Sequence, residues 1–208
     1  MPFRRSGGAA VAAALVGLLV GAGACTAGGN GNPSPPSTPP PSSVEPSGGS
    51  GVEEPFGSAC PNLPDGGAGS LVDLSNRDWI TALGNIPALA QLSVTVALAG
   101  LGNDVTGMQQ ATIFAPTDSA FRDLGVVRGR QLLTNPSQAA DVVRYHIVPV
   151  RLAPDALAGS HPTLTGQTIE VTGTGEDFTV NGKAKIICGN LQTQNATLYL
   201  VDQVLQPF

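Results

Sequence analysis

Residues 112–121 read TIFAPTDSAF, and these positions set the pattern for the whole chain. Ile113 and Phe114 suit a core strand. Pro116 restricts the residue before it to extended backbone and removes a ladder donor, so the strand ends there. Thr117 or Asp118 then offers the short oxygen-bearing side chain that caps a short helix, in which Phe121 packs inward. As a catalytic acid Asp118 has no paired carboxylate or base near it in sequence, and capping is the better reading.

Helices are expected to either side of this stretch. Ser75 and Asp78 resemble a capping box ahead of Trp79, Ile80 and Leu83. Pro87 fits the first turn of a second helix, whose buried stripe is Leu89, Leu92 and Val96 and whose stop is Gly100 and Gly102. Asn135 can cap a third over Pro136–Arg144, with Val142 and Val143 on its buried face.

Farther on, the pattern changes to strands. Residues 168–172 (TIEVT) alternate, with Ile169 and Val171 on one face, and residues 173–175 turn the chain. Phe178–Val180 is followed by Asn181-Gly182, a type I′ hairpin signal, and by a return strand over 183–188. Residues 198–204 alternate Leu198, Leu200 and Asp202 against Tyr199, Val201 and Gln203. The expected architecture is α+β, an antiparallel sheet with helices on one side.

TIFAPTDSAF, RYHIVP (144–149) and NATLYLVDQVLQP (195–207) together resemble the three signature blocks of the fasciclin domain, in order and at family spacing, over about 75–208. The resemblance implies one domain in which antiparallel β-sheets form a wedge or sandwich with several helices packed on one side. It implies structural or interaction roles for Thr112, Phe114, Pro116, Thr117, Asp118, Phe121, Tyr145, His146, Asn195 and Asp202. Tyr145-His146 matches a partly buried pair that holds such domains together, in a region linked to integrin binding in some animal members. The nearest similarity is to actinobacterial secreted and lipid-anchored members, which also have a Cys pair at the domain start and late strand. Fasciclin domains serve in adhesion and surface contacts, so the expected partner is a cell-surface or matrix protein or glycan. A monomer is expected, with no cofactor, no metal and no catalytic residues.

The ends of the chain are different polymers. Residues 1–24 read as a signal peptide, with Arg4 and Arg5 before an apolar stretch too short for a comfortable membrane span. Ala22-Gly23-Ala24-Cys25 resembles a lipoprotein box, with Ala22 where a larger aliphatic residue is usual. The same residues satisfy ordinary signal peptidase, which leaves secretion as the alternative. The cysteine count favours a lipid anchor on Cys25 carrying acyl chains of the palmitate type. With Cys25 lipidated, Cys60 and Cys188 remain for one disulfide in an oxidising compartment. Residues 25–58 form a Pro/Gly/Ser-rich tether that cannot bury enough surface to order itself, and the folded domain is 59–208.

Of the 208 residues, Lys and Arg supply 10 and Asp and Glu 15, a net charge of −5. That balance and 4% aromatics argue against nucleic acid as a partner. No Gly-x-Ser-x-Gly, His-Glu-x-x-His or Walker-type Gly-Lys-Ser/Thr occurs, which leaves enzyme chemistry unsupported. His161 reads as a loop residue. Asn195-Ala196-Thr197 is a formal glycosylation sequon, discounted because it falls inside the third block and because the anchor at Cys25 is of bacterial type. Two functions follow: a non-enzymatic surface lipoprotein that makes adhesive contacts, or an envelope accessory protein with a lipid or small-molecule cleft under the apolar helix 86–101.

Overall fold

β1 (Ala111–Pro116) is buried at every position, and its neighbours explain why. It pairs antiparallel with β2 (Ile147–Val148) and parallel with β7 (Ala196–Val201), in a seven-stranded sheet whose order continues from β7 through β6 (Ala184–Gln192), β5 (Asp177–Val180) and β4 (Thr168–Thr174) to β3 (Gly159–Pro162). The register sets Ile113 beside Leu198 and Phe114 beside Tyr199. Ile113, Leu198 and Leu200 belong to one core cluster, and Phe114, Tyr199 and Val201 to another. The central sheet therefore separates two cores, and alternation along its strands sorts side chains between them.

This is a computed structural model, which describes residues 54–207 apart from 103, 104 and 106. The expected signal peptide, Cys25 and most of the tether lie outside the described residues.

The first core lies between the sheet and the helices. These are α1 (Leu71–Ser75), α2 (Trp79–Asn85), α3 (Ala90–Ala99), α4 (Asp118–Asp123), α5 (Val126–Thr134) and α6 (Pro136–Tyr145). Leu89, Leu92 and Val96 are buried as expected, but Pro87–Leu89 forms a separate 3₁₀ turn before α3. Asn135 caps α6, its Oδ1 accepting from the backbone N–H of Ser137 and Gln138. Val143 is buried and Val142 half-buried against the same core. The expected capping box resolves differently: Ser75 ends α1, and Asp78 occupies the N-cap position of α2 and accepts from the Thr81 N–H.

The second core lies on the other face, where the far half of the sheet closes over it. β3 (Gly159–Pro162), β4 (Thr168–Thr174), β5 (Asp177–Val180) and β6 (Ala184–Gln192) are antiparallel neighbours. β6 spans both halves of this near-barrel and carries register irregularities between Ile186 and Cys188 and between Cys188 and Leu191. Bulges bend a strand and increase its twist, which is how one strand serves two sheet halves. The Asn181-Gly182 hairpin forms as expected, with φ of 51° and 66° and Lys183 N–H donating to the Val180 carbonyl.

Four local expectations need correction. The sheet is mixed, because β1 and β7 run parallel; parallel pairing requires a long connection, which local alternation cannot reveal. The turn after β4 falls at Gly175-Glu176, since the strand continues through Thr174. His161 lies in edge strand β3 opposite Ile169, with its Nε2 at 2.8 Å from the Leu157 carbonyl. The packed chain also begins before 59: Phe56 is buried and exchanges backbone hydrogen bonds with Gly189.

Cys60 and Cys188 are joined, with Cα atoms 5.0 Å apart, across a separation of 128 residues. The bridge fastens the incoming chain to the bulged part of β6, beside the Phe56–Gly189 pairing.

Candidate interaction site

α6 ends in Tyr145-His146, and both rings are completely buried. Leu205 N–H donates to His146 Nε2 at 3.0 Å, so Nδ1 carries the proton and donates to the Val142 carbonyl at 2.7 Å. With both nitrogens bonded to backbone groups and the ring fully buried, it is held neutral. Burial pushes its pKa down to about 4, with the Val142 hydrogen bond opposing the shift. The His146 carbonyl accepts from Phe114 N–H, tying β1 to the same junction.

Tyr145 Oη donates to the Thr168 carbonyl at 3.3 Å and accepts from Asn181 Nδ2 at 2.9 Å. Asn181 Oδ1 accepts in turn from Glu170 N–H. One ring thus fixes the β5–β6 turn, and the next fixes the segment around Leu205.

Those two fixed segments are walls of an open cleft of about 660 Å³. Its third wall is α4 and the start of α5, through Ser119, Ala120, Asp123 and Arg128. Residues 202–207 line it from the C-terminal side, and Asn181 and Lys183 from the turn. All three sequence blocks therefore meet here. The first supplies α4, the second positions two walls from beneath, and the third supplies residues 202–207.

The other expected site residues are placed as structural elements. Thr112 Oγ1 donates to the Val150 carbonyl and accepts from Leu152 N–H, pinning the segment after β2. Phe114 stacks with Tyr199, their centroids 6.0 Å apart. Pro116 ends β1, and Phe121 is buried in the helical core. Asp202 Oδ1 accepts from Lys185 N–H, and its own N–H donates to the Lys185 carbonyl, extending the β6–β7 ladder.

Two polar residues act at a distance that local reading did not anticipate. Thr117 occupies the N-cap position of α4, but its hydroxyl bonds Ser119 Oγ instead of an N–H of that helix. Asp118 Oδ1 accepts from Gln91 N–H at 2.8 Å, in the first turn of α3, which has no cap of its own. Asn195 Oδ1 likewise accepts from Trp79 N–H at 2.9 Å, at the start of α2. Both capped helices lie far earlier in the chain. Asn195 is also nearly fully buried, which removes it as a glycan acceptor.

The helix expected over a lipid cleft is packed from below. Leu89, Leu92 and Val96 share a core with Leu198 and Leu200. The groove of about 350 Å³ at α2 and α3 is an open one, lined by Ile80, Leu83, Val96 and neighbours. Among the described residues no group of three or more His, Cys, Asp or Glu is arranged to hold a metal.

The mixed near-barrel, its helical layer and the buried Tyr-His junction define an α+β domain of the FAS1 type. A FAS1 domain pair from the insect cell adhesion molecule fasciclin I is similar at a TM-score of 0.58 and 12% identity, over 65% of this chain and 52% of that one. The chain belongs to the fasciclin domain family, whose model matches residues 87–207. It is 36% identical over 147 residues to the immunogenic protein MPB70 of Mycobacterium bovis, covering 68% of this chain and 75% of that protein. It is 35% identical to the cell surface glycolipoprotein MPB83 of the same species, covering 68% of this chain and 66% of that protein. The transforming growth factor-beta-induced protein ig-h3 of Sus scrofa is 30% identical, with 21% of its length covered.

Proposed function

We propose that this chain is an exported, lipid-anchored surface protein whose fasciclin domain makes non-covalent contacts with a protein or glycan outside the cell, without turnover. The carrying observation is the convergence of the three sequence blocks on one open cleft, whose walls are set by hydrogen bonds to the buried Tyr145 and His146 rings. The state of His146 supports the absence of turnover. Both ring nitrogens are committed to backbone groups and the ring is fully buried, so it has no atom free for proton transfer to a ligand. Similarity to a cell surface glycolipoprotein supports the location, as do the signal-like residues 1–24 and Cys25.

The test is adhesion of cells displaying the full chain to immobilised envelope polysaccharides and matrix proteins. Saturable adhesion that leaves the ligand's mass unchanged is expected. Progressive chemical change of the ligand, or adhesion no better than that of cells lacking the chain, overturns the proposal.

A further inference from the structure

We infer that the Cys60–Cys188 bridge makes the domain a load-bearing link, which carries a pull on the tether to the 660 Å³ cleft through residues 56–60 and β6 alone. This rests on the contact-making role proposed above and adds how such a contact is held under force.

Phe56 and Gly189 exchange backbone hydrogen bonds of 3.3 and 2.8 Å, and Ala59 N–H donates to the Ile187 carbonyl at 2.8 Å. Residues 56–59 therefore lie antiparallel to β6 and run from its Gln192 end toward its Ala184 end. Cys60 then joins Cys188 covalently. The cleft lies at the Ala184 end of the same strand, where Ala184 and Lys183 line it. Asp202, also in its wall, is fixed to Lys185 through both its N–H and its Oδ1. The short covalent route from the tether to the cleft is thus one disulfide and the first residues of β6. The route along the main chain passes instead through all six helices and β1–β5, which lie between Cys60 and Cys188.

A pull is borne by the shorter and stiffer of two routes. A strand is already extended, at about 3.4 Å per residue, so β6 yields almost no length before its covalent bonds take the load. The helical core, inside the closed loop, stays unloaded. β6 is held on both sides, by β5 and β7, so it does not peel from a sheet edge. Direction adds to this. The chain before Phe56 enters from the Gln192 end, and a ligand in the cleft pulls at the Ala184 end. Residues 56–59 are therefore loaded in shear, and their three hydrogen bonds to β6 share the load. A pull with both forces at the Gln192 end would break the same bonds one after another.

Optical tweezers test the load path on the full chain, held at Cys25 and at a click handle on Lys183, which is exposed in the turn after β5. The oxidised chain is expected to withstand at least twice the force that opens the reduced one. The reduced chain should release most of the 128-residue separation that the bridge spans. Cys60→Ser with Cys188→Ser should match the reduced chain, and if that variant does not fold, reducing wild type already held at low load gives the comparison. In the reduced chain a handle moved to exposed Gln194, beyond the Gln192 end, should open it at lower force than the handle on Lys183. Equal opening forces before and after reduction, or equal forces from the two handles, overturn the inference. None of these readings needs a ligand. If they fail while adhesion persists, the contact-making role stands without the load path. If adhesion itself is absent, that role fails and takes the inference with it.

Discussion

Asp118 and Asn195 look like candidate functional side chains and act as caps for helices to which they do not belong. A cap satisfies an orphan N–H of the first helical turn, and its loss typically costs about 1 kcal/mol. Asp118→Ala should therefore lower unfolding stability by about that amount, as read by urea denaturation. Asn195→Ala strands a buried N–H and should cost more, roughly 1–3 kcal/mol. Unchanged midpoints for both would remove the capping roles. His146 adds a pH dependence. It titrates near 6.5 when unfolded and at about 4 when folded, so in that window the unfolded chain alone binds the proton. Its contribution is complete above the upper value and is lost as pH falls toward the lower one, by roughly 3 kcal/mol. Urea unfolding of wild type and His146→Gln at pH values on both sides of the window isolates this part. The variant should lack it, and parallel pH profiles would contradict the assignment.

Among the elements, β6 has the most demanding geometry. A Cβ on Gly189 would come within 2.5 Å of Phe56 Cζ and 2.9 Å of Tyr199 Cδ1. Gly189→Ala must push apart two rings of the second core, at a cost of about 1–3 kcal/mol measurable by thermal or urea unfolding. The neighbouring disulfide closes a loop with a sequence separation of 128. Chain entropy assigns such a closure on the order of 4–5 kcal/mol. Cys60→Ser and Cys188→Ser should lose similar amounts, and strongly unequal losses would show that the bridge is not what stabilises this corner. α3, α6 and the β5–β6 hairpin were legible because caps, prolines and Asn-Gly announce themselves locally. α5 was not. Leu132 is its only buried residue, and Val126 and Val127 are 78% and 71% exposed, so it has no apolar stripe to read. β3 was missed for a similar reason: an edge strand of four residues ending in Pro162 shows no alternation.

For the whole molecule the decisive measurement is the intact mass of the protein extracted from its native membranes, non-reduced and after thiol alkylation. The proposed surface location predicts a chain beginning at Cys25, with acyl chains added and no thiol open to alkylation. An unlipidated chain with one reactive thiol would instead make it a secreted protein. The Cys60–Cys188 bridge gives the described domain the closed state that this prediction requires.

The α+β class, the family blocks, the hairpin and the principal helices follow from the sequence alone, because each depends on side chains within a few residues of one another. The parallel β1–β7 pairing, the two long-range caps and the cleft do not. Each joins groups tens of residues apart, and only the folded sheet with its helical layer brings them within reach of one another. The Tyr-His pair lies on that boundary. Its presence is plain in the sequence, but its work of fixing the Asn181 turn and the Leu205 segment exists only once both cores have formed.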